Sequence, residues 1–327
     1  MTFKKRIKST RALAIASRVG AEQLARARDR VGRRDRLMGA THRNLDLRGS
    51  LAYIDAVHDD YLAYAGMRPD ELEGKRVLEI GPGDNLGVAM RFAAAGADVV
   101  AIDRFHTWRD PVQQDRIHLA VRDRMTPDQI RRLGSLVSNG GQLDLGTDRL
   151  GLIEGVSIED APARLGDRQF DLIVSRAVLE HALDLDGAFA AMDQLLRAGG
   201  VLAHKVDIRD HGLFTDGGQH PLTFLTVSDR TYTLMGAEAG LPNRELTDDY
   251  RRRLAALGYE SVYLVTHLID RPDELEPAVE SPDAGRVADA EARVEQIRAR
   301  LLPRFRDRPA RDLAISGVFV IARKPAA

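Results

Sequence analysis

The chain has 327 residues, 44% of them hydrophobic and 30% charged, a globular rather than a disordered composition. Its 48 Lys and Arg against 49 Asp and Glu leave a formal charge of −1, so no overall electrostatic pull toward nucleic acid exists. It contains no cysteine, which excludes disulfides, thiolate metal sites and every mechanism with a cysteine nucleophile.

The neutral total hides an uneven distribution. Residues 1–36 carry twelve Lys/Arg and three acids (Glu22, Asp29, Asp35), a net of +9, so the remainder carries about −10. Leu13, Ala14, Val19, Leu24 and Val31 suit a helix that is basic over most of its surface. Residues 1–45 are therefore read as a basic helical arm, either solvated or in contact with an anionic surface such as a membrane face or a polyanion. No run of about 18 apolar residues occurs, and the start lacks the apolar stretch of a secretory signal. A cytoplasmic protein is expected, peripheral at a membrane if the arm docks there.

Residues 46–327 read as one domain. Leu51, Ile54, Val57, Tyr61, Leu62 and Ala65 share one face of a helix over 50–67. A strand at 76–80, a glycine loop, a helix at 86–95 ending at Gly96 and a strand at 98–103 then open an α/β doubly wound sheet. The alternation breaks over 105–148, where Thr126 could cap a helix at 127–137. Strands are predicted at 152–158 and 170–175, a helix at 185–196, and strands at 201–207, 260–269 and 313–322. A polar helix is predicted over 284–302. Insertions are placed near 105–150, 208–257 and 271–310.

The loop after the first strand carries most of the chemistry. Gly81 and Gly83 let the backbone approach a ligand closely, with a helix starting beneath it. The glycines follow G-x-G-x-x-x-G (Gly81, Gly83, Gly87) rather than the dinucleotide pattern G-x-G-x-x-G. Glu79, two positions before the loop, would repel a pyrophosphate but suits a ligand carrying an ammonium or sulfonium charge. Asp103, 22 residues after Gly81 at the end of the second strand, stands where a carboxylate accepts both ribose hydroxyl protons. The combination favours S-adenosyl-L-methionine over NAD.

These residues, E-I-G-P-G at 79–83 and V-V-A-I-D at 99–103, together with F-D-L-I-V-S at 170–175, V-L-E-H at 178–181 and L-L-R-A-G-G-V-L at 195–202, are shared elements of a known family. The chain resembles the class I S-adenosylmethionine-dependent methyltransferases, of the bacterial small-molecule or glycan type. The resemblance implies a Rossmann-like, seven-stranded sheet whose last strand is antiparallel, with helical insertions. It implies the methionine end of the cofactor near Glu79, Gly81, Pro82 and Gly83, and the ribose at Asp103 with Arg104 beside it. Adenine would meet Ser157 or Ile158, or Glu159 next to them, and Ser175 and Arg176 would line the sulfonium side.

Methyl transfer to a hydroxyl also needs a base. His181, His204, His211 and His220 fall on the expected strand-end loops, with His204 or His211 the first choice. His181 either shapes the pocket within a helical element or acts as the base. Asp207, Asp210, His211 and His220 are suitable metal-ligand types, but their spacing matches no motif, and no metal site is expected.

The absence of cysteine excludes methylation at pyrimidine carbon 5. S-R-A-V after the fourth strand is not the Asn/Asp-Pro-Pro-aromatic signature of base-amine methylation. The main body is acidic, so nucleic acid is not expected as a partner, with the basic arm the one reservation. Residues 208–257 are expected to form a lid or substrate wall. The segments H-P-L-T-F-L and L-P-N-R-E-L-T-D-D-Y there resemble bacterial methyltransferases of glycan and secondary-metabolite pathways. Arg209, Arg230, Asn243, Arg244 and Asp248 suit a hydroxylated or anionic small substrate. The expectation is O-methylation of a hydroxylated small molecule or glycan. N-methylation of a small amine and a non-catalytic cofactor-binding scaffold are the alternatives.

Overall fold

Seven strands form one sheet in the computed structural model, which describes residues 9–30, 41–107, 109–145, 149–236, 240–271 and 273–326. In chain order they are β1 (Arg76–Ile80), β2 (Asp98–Asp103), β3 (Leu150–Glu154), β4 (Phe170–Arg176), β5 (Leu196–Asp207), β6 (Glu260–Leu268) and β7 (Ile315–Arg323). Their spatial order is β3-β2-β1-β4-β5-β7-β6. β3 through β5 run parallel, and β7 lies antiparallel between β5 and β6. The strand order reverses between β1 and β4, which opens a crevice at the carboxyl ends of those strands. This is the Rossmann-like methyltransferase fold with its antiparallel last strand, as expected.

Among the described residues the helices are α1 (Arg11–Arg30), α2 (Leu47–Ala65), α3 (Gly87–Ala94), α4 (Pro111–Arg122), α5 (Pro127–Leu133), α6 (Ala161–Leu165), α7 (Leu185–Leu195), α8 (Asp229–Leu234), α9 (Thr247–Ala256), α10 (Ala284–Glu295), α11 (Pro303–Arg306) and α12 (Ala310–Ala314). Strand alternation divides the core in two. Val77, Val99, Leu172 and Ala203 pack with Ile54, Tyr61 and Phe92 of α2 and α3. Leu78, Ile102, Ile173 and Leu202 pack with Phe189 of α7, Tyr250 of α9 and Val294 of α10. Each fully buried side chain of this size contributes about 1.5–3 kcal/mol by its transfer from water.

Local chemistry moves several predicted boundaries. The Asp46 carboxylate accepts the Gly49 N–H at 2.6 Å, so α2 begins at Leu47, three residues before the expected start. Thr126 caps α5 as expected, with Gln129 answering in a reciprocal pair, but Gly134 at φ +54° ends that helix early. β3 lies at 150–154 rather than 152–158, because Gly155 turns the chain at φ +76°. β5 starts at Leu196, its register with β4 shifting between Phe170 and Leu172, so Arg197–Gly200 bulge instead of forming a separate loop. The helix expected over 284–302 stops at Glu295 and continues as a 3-10 turn at Arg298–Arg300.

The described part of the basic arm is docked rather than trailing. Ala14 is buried, Ile15 and Val19 pack on the core, and Arg11 and Arg18 donate to the carbonyls of Thr226 and Met235 at 2.9 and 3.0 Å. Residues 1–8 and 31–40 of the expected arm lie outside the described residues. Among the described residues no helix is long and apolar enough to cross a membrane.

Candidate active site

A cavity occupies the crevice above β1, β2 and β4, lined by the glycine loop, the end of β2, the loop after β3 and the turn after β4. Gly81 and Gly83 both lie in the left-handed region, at φ +71° and +70°. A Cβ on Gly81 would stand 2.5 Å from Val178 Cγ2, so only glycine fits between the loop and the turn after β4. The Gly81 N–H is tied to the Ile102 carbonyl at 2.8 Å, which fixes the loop to β2.

Asp84 fastens a second piece of chain over this loop. Its carboxylate accepts the backbone N–H groups of His42 and Arg43 at 3.0 and 2.9 Å. Gln114 of α4 donates to the Asp84 carbonyl at 2.6 Å and accepts from Asn85 at 2.7 Å. Thr41, His42 and, from α2, Tyr53 thereby become part of the cavity wall. Sequence reading missed all three, because nothing in their spacing announces a contact made through a distant carboxylate.

Asp103 faces the cavity from the end of β2. Its carboxylate accepts the Phe105 N–H at 2.8 Å and the Thr107 hydroxyl at 3.5 Å, and the Gly83 N–H also bonds to it. Burial raises its pKa against the hydrogen bond from Phe105 and the nearby Arg109 guanidinium. Arg109 bridges Glu154 and the Gly83 carbonyl, at 2.5 and 2.8 Å, holding the β3 edge to the glycine loop. Pro82, Arg104, Ser157, Ile158 and Glu159 all line the same cavity, as does Arg176. Ser157 already donates to Asp160 at 2.9 Å, so Ile158 offers the apolar surface on that side. Arg176 turns toward α2, paired with Asp60 at 2.8 Å and 5.7 Å from the Tyr53 ring centre, so its charge is answered there.

Four expected site residues stand elsewhere: Glu79, Ser175, His204 and His211. Glu79 does not line the cavity: alternation in β1 sends Ile80 there and turns Glu79 under the loop. Its carboxylate accepts from the Ala89 backbone N–H, its Oε2 has no partner, and burial pushes its pKa up to about 8. Ser175 and His204, side by side in β4 and β5, are fully buried and bond each other at 2.8 Å (Oγ to Nδ1). Burial drives the His204 pKa down to about 3, and neither residue reaches the cavity. By register His204 lies on the same sheet face as Ile80, but it is fully buried and tied to Ser175, so burial overturns the expectation of a general base there.

His181 does line the cavity, in a 3-10 turn at Leu179–His181. Burial, and to a lesser degree the neighbouring His211, lowers its pKa to about 4. His211 stands behind it outside the cavity wall, with ring centres 5.0 Å apart and Asp207 Oδ2 3.6 Å from its Nε2. Asp210 and His220 are engaged structurally. Asp210 accepts from the N–H groups of Gly212, Phe214 and Thr215, and His220 accepts from Leu222. Yet ligating atoms of Glu180, His181 and His211 lie within 4.8 Å of one another, a group the spacing argument against a metal did not weigh.

The geometry fits an adenosyl ligand: a glycine cradle closed to any side chain, a carboxylate facing the cavity at the end of β2, and an apolar wall after β3. No curated protein sequence matches the chain. In fold it is similar to the CurJ carbon methyltransferase (14% identity, TM-score 0.36, 78% of this chain covered and 49% of that one). This chain thus spans about half the length of the CurJ structure. It is also similar to a putative sarcosine dimethylglycine methyltransferase from Galdieria sulphuraria (16%, 0.44, 85% and 87%). A third is the magnesium protoporphyrin IX methyltransferase of Synechocystis PCC 6803 with bound SAH (14%, 0.40, 85% and 85%). At these values the likenesses say nothing about an acceptor. Residues 51–268, however, match the family described as a methyltransferase domain, and the chain belongs to it, as a class I enzyme whose cofactor is S-adenosyl-L-methionine.

Proposed function

We propose that the chain methylates an oxygen of a hydroxylated small molecule or glycan. The observation that supports this reading is His181, an imidazole kept neutral by burial and set in the wall of the cofactor cavity. A neutral imidazole takes a hydroxyl hydrogen bond and orients the oxygen for in-line attack.

S-adenosyl-L-methionine supplies the activated methyl group. Asp103 holds the ribose hydroxyls with its carboxylate, and the Gly81–Gly83 backbone admits the rest of the cofactor without side-chain obstruction. Ile158 packs on the adenine side. The turn at His42–Asn44, clamped by Asp84, and the Tyr53 ring cover the cavity and limit water entry. His181 meets the acceptor hydroxyl and takes its proton as the oxygen attacks.

The test is product analysis with isotopically labelled cofactor and a panel of hydroxylated metabolites, glycan termini and small amines. The expected product carries the label on oxygen, and His181→Ala slows its formation by roughly 10²–10⁴-fold while S-adenosylhomocysteine still binds. A label found on nitrogen or carbon would overturn the proposal.

A further inference from the structure

We propose that Glu180, His181 and His211 form a binding site for one divalent transition-metal ion of the zinc or iron(II) class, bordering the cofactor cavity. The inference deepens the reading above and rests on it in one respect: with Nδ1 on the ion and its ring also bonded to the Leu241 backbone, His181 would act on the acceptor oxygen through the ion rather than by a hydrogen bond of its own.

The geometry comes first. One ligand atom from each of the three side chains lies within 4.8 Å of the others. Two of the three residues carry atoms that nothing in the protein satisfies: Glu180 Oε2 and His181 Nδ1 are buried without any hydrogen-bond partner. Glu180 is only 1% exposed, so bulk solvent does not reach it. Buried polar atoms are almost always paired, and an unpaired carboxylate oxygen beside an unpaired imidazole nitrogen is a donor set awaiting a cation.

The surroundings hold these donors in place. The other Glu180 oxygen accepts the Asp207 N–H at 3.2 Å, which orients the carboxylate. His211 adopts a left-handed backbone, φ +50°, rare for a residue other than glycine. The turn that carries it is pinned by Asp210, which accepts from three backbone N–H groups at 2.7–3.0 Å. Its ring stands edge-on to that of His181. Asp207, 3.6 Å from His211 Nε2, occupies the position of the outer carboxylate that fixes the orientation of ligating histidines.

Donor chemistry selects the ion. Two imidazoles and one carboxylate suit zinc or iron(II) with positions left open for further ligands, whereas magnesium and calcium prefer oxygen alone. Metal–ligand bonds of about 2.0–2.2 Å require the atoms to draw in, and His211, at the surface, has room to move. His181 forms part of the cavity wall, so an open position faces the place where the acceptor binds.

Cobalt(II), a spectroscopic probe for such sites, is titrated into the full-length, tag-free, chelator-treated chain without cofactor or acceptor. The expected result is one saturable equivalent with visible ligand-field bands. His211→Ala and His181→Ala should each weaken it by at least the about 10–100-fold that loss of an outer partner costs. The exposed His106, paired with Glu154, is the control, and His106→Ala should leave the titration unchanged. Circular dichroism and S-adenosylhomocysteine binding confirm that each variant folds. No saturable band at millimolar cobalt, or bands that persist in both histidine variants, would overturn the site. Failure of the O-methylation reading is seen separately, in the methylated atom of the product, whether or not cobalt binds.

Discussion

The Asp84 carboxylate reaches across the glycine loop to hold the backbone of His42, 42 positions earlier in the chain, at 3.0 Å. Its second oxygen holds Arg43 at 2.9 Å, so one side chain secures a turn that lines the cofactor cavity. Hydrogen bonds to a charged group contribute about 1.5–3 kcal/mol each. Asp84→Ala is therefore expected to release residues 41–44 and weaken S-adenosylhomocysteine binding by about 10–100-fold. Calorimetry reads the affinity, and hydrogen exchange at 41–44 reads the release. Unchanged affinity with unchanged protection would show that the clamp has no hold on the ligand.

Gly81 meets two constraints that can be separated. Its φ of +71° is strained for any other residue, and a Cβ there would collide with Val178 Cγ2. Gly81→Ala should abolish measurable S-adenosylhomocysteine binding. Adding Val178→Ala removes the collision but not the backbone strain, so the double variant should recover part of the affinity and not all of it. Full recovery would mean that the collision alone matters; no recovery would assign the loss to the backbone.

The sheet and most of the cofactor cavity were legible because they depend on local pattern. Val77–Ile80 and Val99–Asp103 read as buried strands, and Gly81, Gly83 and Asp103 follow from their ends. Two kinds of contact were not legible. The His42–Asn44 turn joins the site through a carboxylate far along the chain, a contact that leaves no periodicity. Glu79 sits at the right strand end but points the wrong way, since a strand end fixes position while alternation fixes direction. Ser175 and His204 lie on the same face as Ile80 but are fully buried against each other, and burial leaves no mark in the spacing. His204 is the clearest case: its partner is Ser175 on the adjacent strand, not solvent. The Glu180, His181 and His211 cluster joins neighbours on one turn to a residue 30 positions later, through a backbone conformation that no sequence spacing encodes.

Asp312 gives the fold a pH dependence of known sign. Burial raises its pKa from 3.8 to about 6, with Asp248 and Asp249 adding repulsion and Arg308 opposing it. The folded chain thus holds this proton more tightly than the unfolded chain. Its favourable contribution is full below about pH 4, falls as pH rises to about 6, and is absent above. Asp312→Asn keeps an oxygen to accept the Asp248 N–H, bonded at 3.0 Å, and removes the buried charge. Relative to wild type, the variant should gain on the order of 2 kcal/mol between pH 4 and pH 8. Urea unfolding at both values measures the difference, and a gap that stays constant with pH would refute the assignment.

Glu79 separates a ligand contact from a structural one. If it held the cofactor directly, its carboxylate would be needed ionised and facing the cavity. It lies instead beneath the loop with a pKa near 8, so it is protonated at neutral pH, and its acceptor contact to the Ala89 N–H needs no charge. Glu79→Gln preserves that acceptor and the side-chain volume. At pH 7 the variant should bind S-adenosylhomocysteine within a few-fold of wild type. Its stability relative to wild type should rise between about pH 4.5 and pH 8 and level off above, because over that range the unfolded wild type ionises while the folded chain still holds the proton. Glu79→Ala, by contrast, empties a packed position under the loop and should weaken binding through the displaced Gly81–Gly83 backbone. A large loss of affinity in Glu79→Gln at pH 7 would return this carboxylate to the ligand, as the sequence motif suggested.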